Sequence, residues 1–300
     1  MTIDILTRKL DRYNSKMSIS VLMSVYANDR PEWFDRAMHS IWDEQSLKPD
    51  EIVLVQDGTI PIELSDVIDK WKVKLGEQLV LIVHSKNLGL TKSLNKGIEQ
   101  VKSQYIARMD SDDISCPDRF EKQVKFLESH PDIAVLGGSI ELIDESEQVT
   151  NLRHYPQTPA DVEKTIFFAS PLPHPAVMIR KQVFDAGLRY NEKYKRNQDI
   201  ALWFDVLAHG FKIASLPDIT MKYRFLTNVY NRRWESNWNE CKIYAYGIYR
   251  MKGIFSLLYI YPVLRYLFRL LPVSLVHRIY HSGIYKNFFR PKKTYTEENN

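Results

Sequence analysis

The sequence predicts an α/β fold with a mixed, mainly parallel sheet, followed by a helical extension. Three observations carry this. Four short apolar runs rich in strand formers lie in the first 110 residues, stretches of helical periodicity separate them, and the pattern changes after Pro131 and again after about Asn228. Buried strands that alternate with amphipathic helices build βαβ units, whose strands pair in parallel.

The first run, ISVLMSV at Ile19–Val25, is continuous and apolar. Pro31 suits the first turn of a helix, and Phe34, Ala37, Met38, Ile41 and Trp42 recur at helical spacing behind it. Residues 52–55 form a second apolar run, ended by the turn pair Asp57-Gly58. Ile62–Leu75 returns to a helical period, Leu79–Val83 is a third strand, and Leu90, Leu94, Ile98 and Val101 make a helical stripe. Residues 105–109 are a fourth strand, and a dense acidic cluster follows it. Phe120, Val124 and Leu127 form the next helix behind Pro117. Beyond Pro131, Ile133–Ile143 reads as a longer strand bent at Gly137-Gly138. Residues 176–179 read as a short strand, residues 199–208 as a helix, and residues 211–214 and 220–225 as two strand pieces. From about Asn228 the chain is aromatic, basic and mostly helical in pattern, with breaks near Gly253, Pro262, Pro272 and Gly283. The expected units are an extension over 1–17, a body over 18–226 and a C-terminal region over 227–300.

Composition narrows the function classes. The chain has 300 residues, 44% hydrophobic and 26% charged, which excludes wholesale disorder. Its two cysteines, Cys116 and Cys241, exclude a disulfide framework and an all-cysteine zinc site. The first 18 residues carry both charge signs and no apolar core, so they do not read as a secretory signal. The net charge of +4 hides an asymmetry: from Lys222 onward 14 Lys/Arg stand against 4 Asp/Glu, leaving 27 against 33 in the rest. An acidic body with a basic tail is not a general nucleic-acid binder. It suggests a tail that meets an anionic surface.

The chemistry concentrates at Met109-Asp110-Ser111-Asp112-Asp113, the C-terminal end of a buried strand. Ligands of open α/β sheets bind outside those ends. Three carboxylates within four residues repel one another unless a cation or ordered donors neutralise them. Hard oxygen ligands without nearby sulfur favour Mg²⁺ or Mn²⁺. The alternative is a helix cap and a solvated turn. Asp57 ends an earlier strand, where a carboxylate can accept from a pyrimidine imide or from ribose hydroxyls. Otherwise it is a plain Asp-Gly turn. Ser24 and Tyr26 end the first strand and can bracket a base by hydrogen bonding and stacking. Asn87, Gly89, Asn95 and Gly97 surround a helix start, where they either approach a nucleotide or cap and pack. No G-x-G-x-x-G follows the first strand, which disfavours a dinucleotide enzyme.

Taken in order, ISVLMSVYAND, EIVLVQDG, NLGLTKSLNKGI, YIARMDSDDISCPDRFEKQVKFLE, LPHPAVMIRK and QDIALWFDVL resemble the family 2 inverting glycosyltransferases. Bacterial O-antigen and exopolysaccharide sugar transferases are the nearest-looking members. The resemblance spans about residues 18–223. It implies a GT-A fold, a UDP-sugar donor, a divalent metal and an acceptor hydroxyl. Carried over by position, Ser24, Tyr26 and Asp57 would contact the uracil end and Asp110 the ribose or sugar. Asp112 would bind the metal bridging the diphosphate. Asp199 falls at the second acid of the family's ED motif, the general base, with Gln198 in place of the first acid. Many members carry an Arg before the Asn equivalent to Asn95. Leu94 stands there in this chain, and Lys92 is the nearest substitute. His174, between Pro173 and Pro175 in a restricted, extended backbone, either contacts donor phosphates, metal or acceptor, or lines the pocket wall. Arg180 either binds phosphate or is a strand-end charge.

The acceptor that the resemblance implies is a saccharide on a polyprenyl diphosphate, and this bears on the tail. Residues 254–264 are uncharged before Arg265 and Arg269 interrupt, short of the roughly 20 apolar residues of a span. The mixture of Leu, Tyr and cations suits an interfacial helix. The expectation is a cytoplasmic enzyme, peripheral on an anionic inner membrane surface. A helical cap on the body or a homo-oligomer contact is the alternative. Two other functions compete with this one: a nucleotidyltransferase, which would favour a Gly-rich phosphate loop that VYANDRPEW lacks, and a membrane-docked scaffold, which would be expected to have lost Asp110, Asp112 or Asp199.

Overall fold

The structure is a computed structural model that describes residues 17–225 and 233–269. Strand β1 (Ile19–Val25) leads to helix α1 (Pro31–Trp42), β2 (Glu51–Gln56), α2 (Ile62–Leu75), β3 (Leu79–Val83), α3 (Leu90–Ile98) and β4 (Tyr105–Arg108). Then follow β5 (Ile114–Ser115), α4 (Arg119–Ser129), β6 (Ile133–Ile143), β7 (Val149–Arg153), α5 (Pro159–Thr165) and β8 (Met178–Arg180). The chain continues through α6 (Gln182–Asp185), α7 (Gln198–Ala208), β9 (Lys212–Arg224), α8 (Arg233–Lys252) and α9 (Ile260–Arg269).

Among the described residues one sheet forms in the order β3-β2-β1-β4-β8-β6-β9-β5, with β7 paired to β6 off this path. Strands β3, β2, β1 and β4 are mutually parallel. Strand β8 enters antiparallel to both β4 and β6, and β6 runs parallel to β9. The strand order reverses after β1, when β4 returns to its other side. That reversal opens a crevice at the carboxyl ends of β1 and β4, and the candidate acidic turn lies there.

Alternation along the strands builds two cores, one on each face. Ile19, Val21, Met23 and Val25 of β1 pack in one with Phe34, Met38 and Trp71, while Leu22 packs in the other with Leu94, Ile98 and Ile106. Gly97 lets α3 lie close on the sheet, since a Cβ there would stand 2.3 Å from Leu22 Cδ1. The tight-packing reading of this glycine is therefore the one realised.

Two expectations for the second half change. The pieces expected at 211–214 and 220–225 are one strand, β9, whose register against β6 shifts between Gly138 and Ser139. Pro217 has no N–H to give the ladder, so the strand bulges there and continues. The strand expected at 176–179 starts later, as β8 at Met178, because residues 174–176 form a single 3₁₀ turn, closed by the Ala176 N–H to the Pro173 carbonyl at 3.0 Å. Pro175 presets the φ of such a turn and removes a ladder donor. The restricted backbone at His174 is therefore a turn.

Helix α8 packs on α7 through buried Ile243, Tyr244 and Ile248. Gly247 faces Phe204 so closely that a Cβ would stand 2.2 Å from its ring. Helix α9 is tied back by Arg265, which pairs with Glu240 at 2.9 Å and donates to the Phe168 carbonyl at 2.9 Å. Arg265, expected to face a membrane, is thus directed into the protein. The Arg269 side chain and Arg278, Lys286, Arg290, Lys292 and Lys293 lie outside the described residues. So does the expected 1–17 extension, apart from Met17. Among the described residues no helix is long and apolar enough to cross a membrane.

Candidate active site

Strand β4 delivers the acidic turn. Its last residue, Arg108, is buried, and its guanidinium pairs with Asp110 just above. Burial alone would lower the Arg108 pKa, but the charge and hydrogen bond of Asp110 turn the shift upward, so the cation is held. Carboxylate oxygens of Asp110, Asp112 and Asp113 lie within 4.8 Å of one another. Asp113 is 1% exposed, accepts the Arg224 backbone N–H at 2.8 Å through Oδ1, and has no partner for Oδ2.

The end of β9 closes over this turn. Arg224 donates from Nε to the Asp112 carbonyl at 2.9 Å and from its terminal nitrogens to the Asp144 carbonyl and the Glu147 carboxylate. On the opposite side, Asp29 links two loops: it accepts the Tyr26 backbone N–H at 3.0 Å and the Ser111 hydroxyl at 2.9 Å. Crowding raises the pKa values. Asp112 is pushed up to about 7 by burial and then by the charges of Asp110 and Asp29. Asp113 is pushed well above the usual carboxylate range by burial, with Asp112 and Asp110 adding to it. Burial likewise lifts Asp29 to about 6, against its two hydrogen bonds. A cluster of hard oxygens that resists ionising together, with one buried oxygen unpartnered, fits a divalent cation such as Mg²⁺ or Mn²⁺.

Asp199 comes from the first turn of α7. The residue before that helix, Asn197, is in the left-handed region at φ 56°, which asparagine tolerates best among residues with a side chain. The turn lifts Asp199 to where it senses both Arg108 and Asp110. Burial pushes its pKa up to about 6; the Ile200 N–H and the Arg108 charge oppose, and Asp110 adds.

His174 lies beneath the same region. Its Nε2 is 2.8 Å from the Tyr190 hydroxyl, and its ring meets those of Tyr190 and Trp203 edge-on. Burial, with Arg108 adding, holds its pKa well below the usual range, so the imidazole is neutral. It is not a member of the carboxylate cluster.

The other expected residues divide. Ser24 is half-buried and Tyr26 is 40% exposed, both beside the crevice at the end of β1. Asp57 is 3% exposed, and each of its oxygens accepts a backbone N–H: Leu88 at 2.7 Å and Gly89 at 2.8 Å. It clamps the loop before α3 to the end of β2, and Asn87 assists by donating to the Asp57 carbonyl. Asn95 spends both ends of its amide on the backbone of Tyr190, at 2.8 and 3.0 Å. Lys92 is exposed on α3. Arg180 does not reach the site. It is buried at the opposite end of β4, bonded to the carbonyls of Ile133 and Leu127 and to the Tyr105 hydroxyl.

Arg108, Tyr190, Arg224, Asp29 and Ser111 were missed as site residues. Only Arg108 left a signal, as a charge inside the otherwise apolar run YIARM.

Comparison with known proteins bears on this arrangement. The glycosyl transferase family 2 model matches residues 20–187. The amylovoran biosynthesis glycosyltransferase AmsE of Erwinia amylovora is 34% identical over 87% of this chain and 97% of its own. A UDP-Gal:alpha-D-GlcNAc-diphosphoundecaprenol beta-1,3-galactosyltransferase of Escherichia coli is 30% identical over 88% and 96%. Among solved structures, the mannosyltransferase PcManGT of Pyrobaculum calidifontis, in complex with GDP-Man and Mn²⁺, superposes with a TM-score of 0.62 at 12% identity, covering 94% of this chain and 89% of that one. S. aureus TarS 1-349 in complex with UDP-GlcNAc gives 0.59 at 16%, covering 90% and 78%. At these identities the structures speak for the fold, which is GT-A.

Proposed function

The chain belongs to glycosyl transferase family 2, and from that premise we propose that it is an inverting transferase moving a hexose or N-acetylhexosamine from a UDP-sugar to a hydroxyl of a lipid-linked saccharide. The setting is the assembly of bacterial surface polysaccharide, at the cytoplasmic face of the membrane. The observation that carries the reading is the pairing of the Asp110–Asp112–Asp113 cluster with Asp199, across the crevice where the strand order reverses. The relatives named for amylovoran biosynthesis and for UDP-Gal transfer to a diphosphoundecaprenol-linked sugar support the donor and acceptor classes.

Asp112 and Asp110 would hold a divalent cation, which supplies positive charge to a departing diphosphate. Asp199 takes the proton of the acceptor hydroxyl as its oxygen attacks the anomeric carbon, so one carboxylate suffices for a single inverting displacement. Arg108 holds Asp110 in place from below. Arg224 fixes the turn between the carboxylates. Tyr26 and Ser24 lie where a base would stack and hydrogen-bond. Asp57 shapes that wall through the loop it clamps. Neutral His174 supports Tyr190 at the floor.

The test is a donor screen. The full-length protein is incubated with UDP-, GDP- and dTDP-sugars, Mn²⁺ or Mg²⁺, and a short lipid-diphosphate sugar, and the product linkage is determined. Transfer from a UDP-sugar with inversion, lost reversibly on chelation, is the expected result. Transfer at full rate in chelator would remove the metal from the reading, and a retained anomeric configuration would remove Asp199 as sole base.

A further inference from the structure

Helix α9 is amphipathic with its apolar side turned outward. Ile260, Val263, Leu264 and Leu267 recur at three- and four-residue spacing, and each is more than half exposed. The segment before it adds Phe255 at 94% and Leu257 at 84% exposed. The opposite side of the helix does the structural work: Pro262 is buried, and Tyr261 and Arg265 both donate to the Phe168 carbonyl. A helix that only capped the body would bury its leucines and present its arginine to water. Phe168, itself 44% exposed, meets Tyr261 edge-on at 4.9 Å, so the apolar surface runs on to the loop that leads to His174.

Charge selects the occupant. From Arg269 to the end of the chain the sequence carries six Lys/Arg against two Glu. A second copy would bring a tail of the same positive charge, whereas an anionic leaflet attracts it. We infer that the exposed apolar face over residues 254–267 is the surface by which this protein lies on an anionic lipid bilayer, with Phe255 and Leu257 reaching deepest. Insertion is carried by these side chains and not by Arg265, which locks α9 to the body. The inference rests on the reading of a lipid-linked acceptor, since docking holds the protein at the membrane where such an acceptor resides.

The experiment is co-sedimentation of the full chain with vesicles of phosphatidylethanolamine and phosphatidylglycerol, alongside transfer to a short soluble acceptor. The wild type should sediment with the vesicles and keep part of that binding in high salt. Phe255→Ser with Leu257→Ser should weaken partitioning by about tenfold or more, with melting temperature and soluble-acceptor transfer unchanged. Equal partitioning of the two proteins would overturn the inference, as would a wild type that ignores the vesicles. A wild-type dimer that ignores the vesicles, and that the double variant turns into a monomer, would assign the face to a second copy. Loss of thermal stability in the double variant, again without vesicle binding, would assign it to the chain's own C-terminal residues. If partitioning behaves as expected but no UDP-sugar is used, the docking surface stands and the donor reading fails.

Discussion

Burial lifts the Asp199 pKa to about 6, and in the role proposed for it Asp199 must have lost its proton to accept another. Turnover should therefore rise with pH through about 6 and level off above it, measured as kcat at saturating acceptor. The same shift has a cost. The folded pKa lies above the ordinary unfolded value, so the stability tied to this group is fullest below about pH 4 and falls as pH rises through 6. At pH 7.5 the ionised carboxylate costs up to about 3 kcal/mol. Asp199→Asn should thus lower turnover by a factor on the order of 10² or more and raise the melting temperature, with UDP affinity little changed. A variant that loses UDP binding as fully as turnover would place Asp199 in the donor site instead. Asp112→Asn removes charge from the acidic turn, and activity should collapse with little rescue by added Mn²⁺ in a titration of initial rates. The carboxylates could be read from the sequence because three charges interrupt an apolar run. The residue that fixes their turn from the far side could not, because Arg224 reaches Asp113 from 111 residues away.

The helices and strands owe their positions to small residues at close crossings. Gly247 sits against the Phe204 ring, and Gly247→Ala should push α8 from α7 and cost about 1–3 kcal/mol in urea unfolding. Asp57→Ala should release the loop before α3, leaving the Leu88 and Gly89 N–H groups without their acceptor, at a cost of about 2 kcal/mol. Weaker UDP binding, measured by calorimetry, should accompany it. The βαβ half could be read nearly element by element, since each strand is a continuous apolar run between turn signals. The second half was harder. Strand β9 carries Pro217-Asp218 in its middle, which reads as a break, and only its ladder with β6 on both sides of the bulge makes it one strand. The strand read from Ala176 begins only at Met178, because the prolines around His174 fold residues 174–176 into a turn.

Across the whole molecule, the C-terminal helices are joined to the body by polar clasps as much as by apolar packing. Arg265→Ala should loosen α9 and lower stability by about 2 kcal/mol, while Arg265→Lys, which keeps the charge, should recover only part of the loss. The basic, aromatic character of this region was plain in the sequence. That Arg265 turns inward was not, because the direction of a charged side chain depends on Glu240 and Phe168, which only the fold brings near. The clasp between Arg224 and Asp113 bears on the order in which the protein comes into being. It joins residues 111 apart in the chain, and loops of that length close late. A nascent chain whose strand β9 has not yet left the ribosome holds three crowded carboxylates without the Arg224 bonds to Asp112 and Asp113. High-affinity Mn²⁺ uptake should therefore appear only in the last step of refolding, after the parallel half has formed, so that the cation acts as a seal on a finished protein and not as a nucleus for an unfinished one.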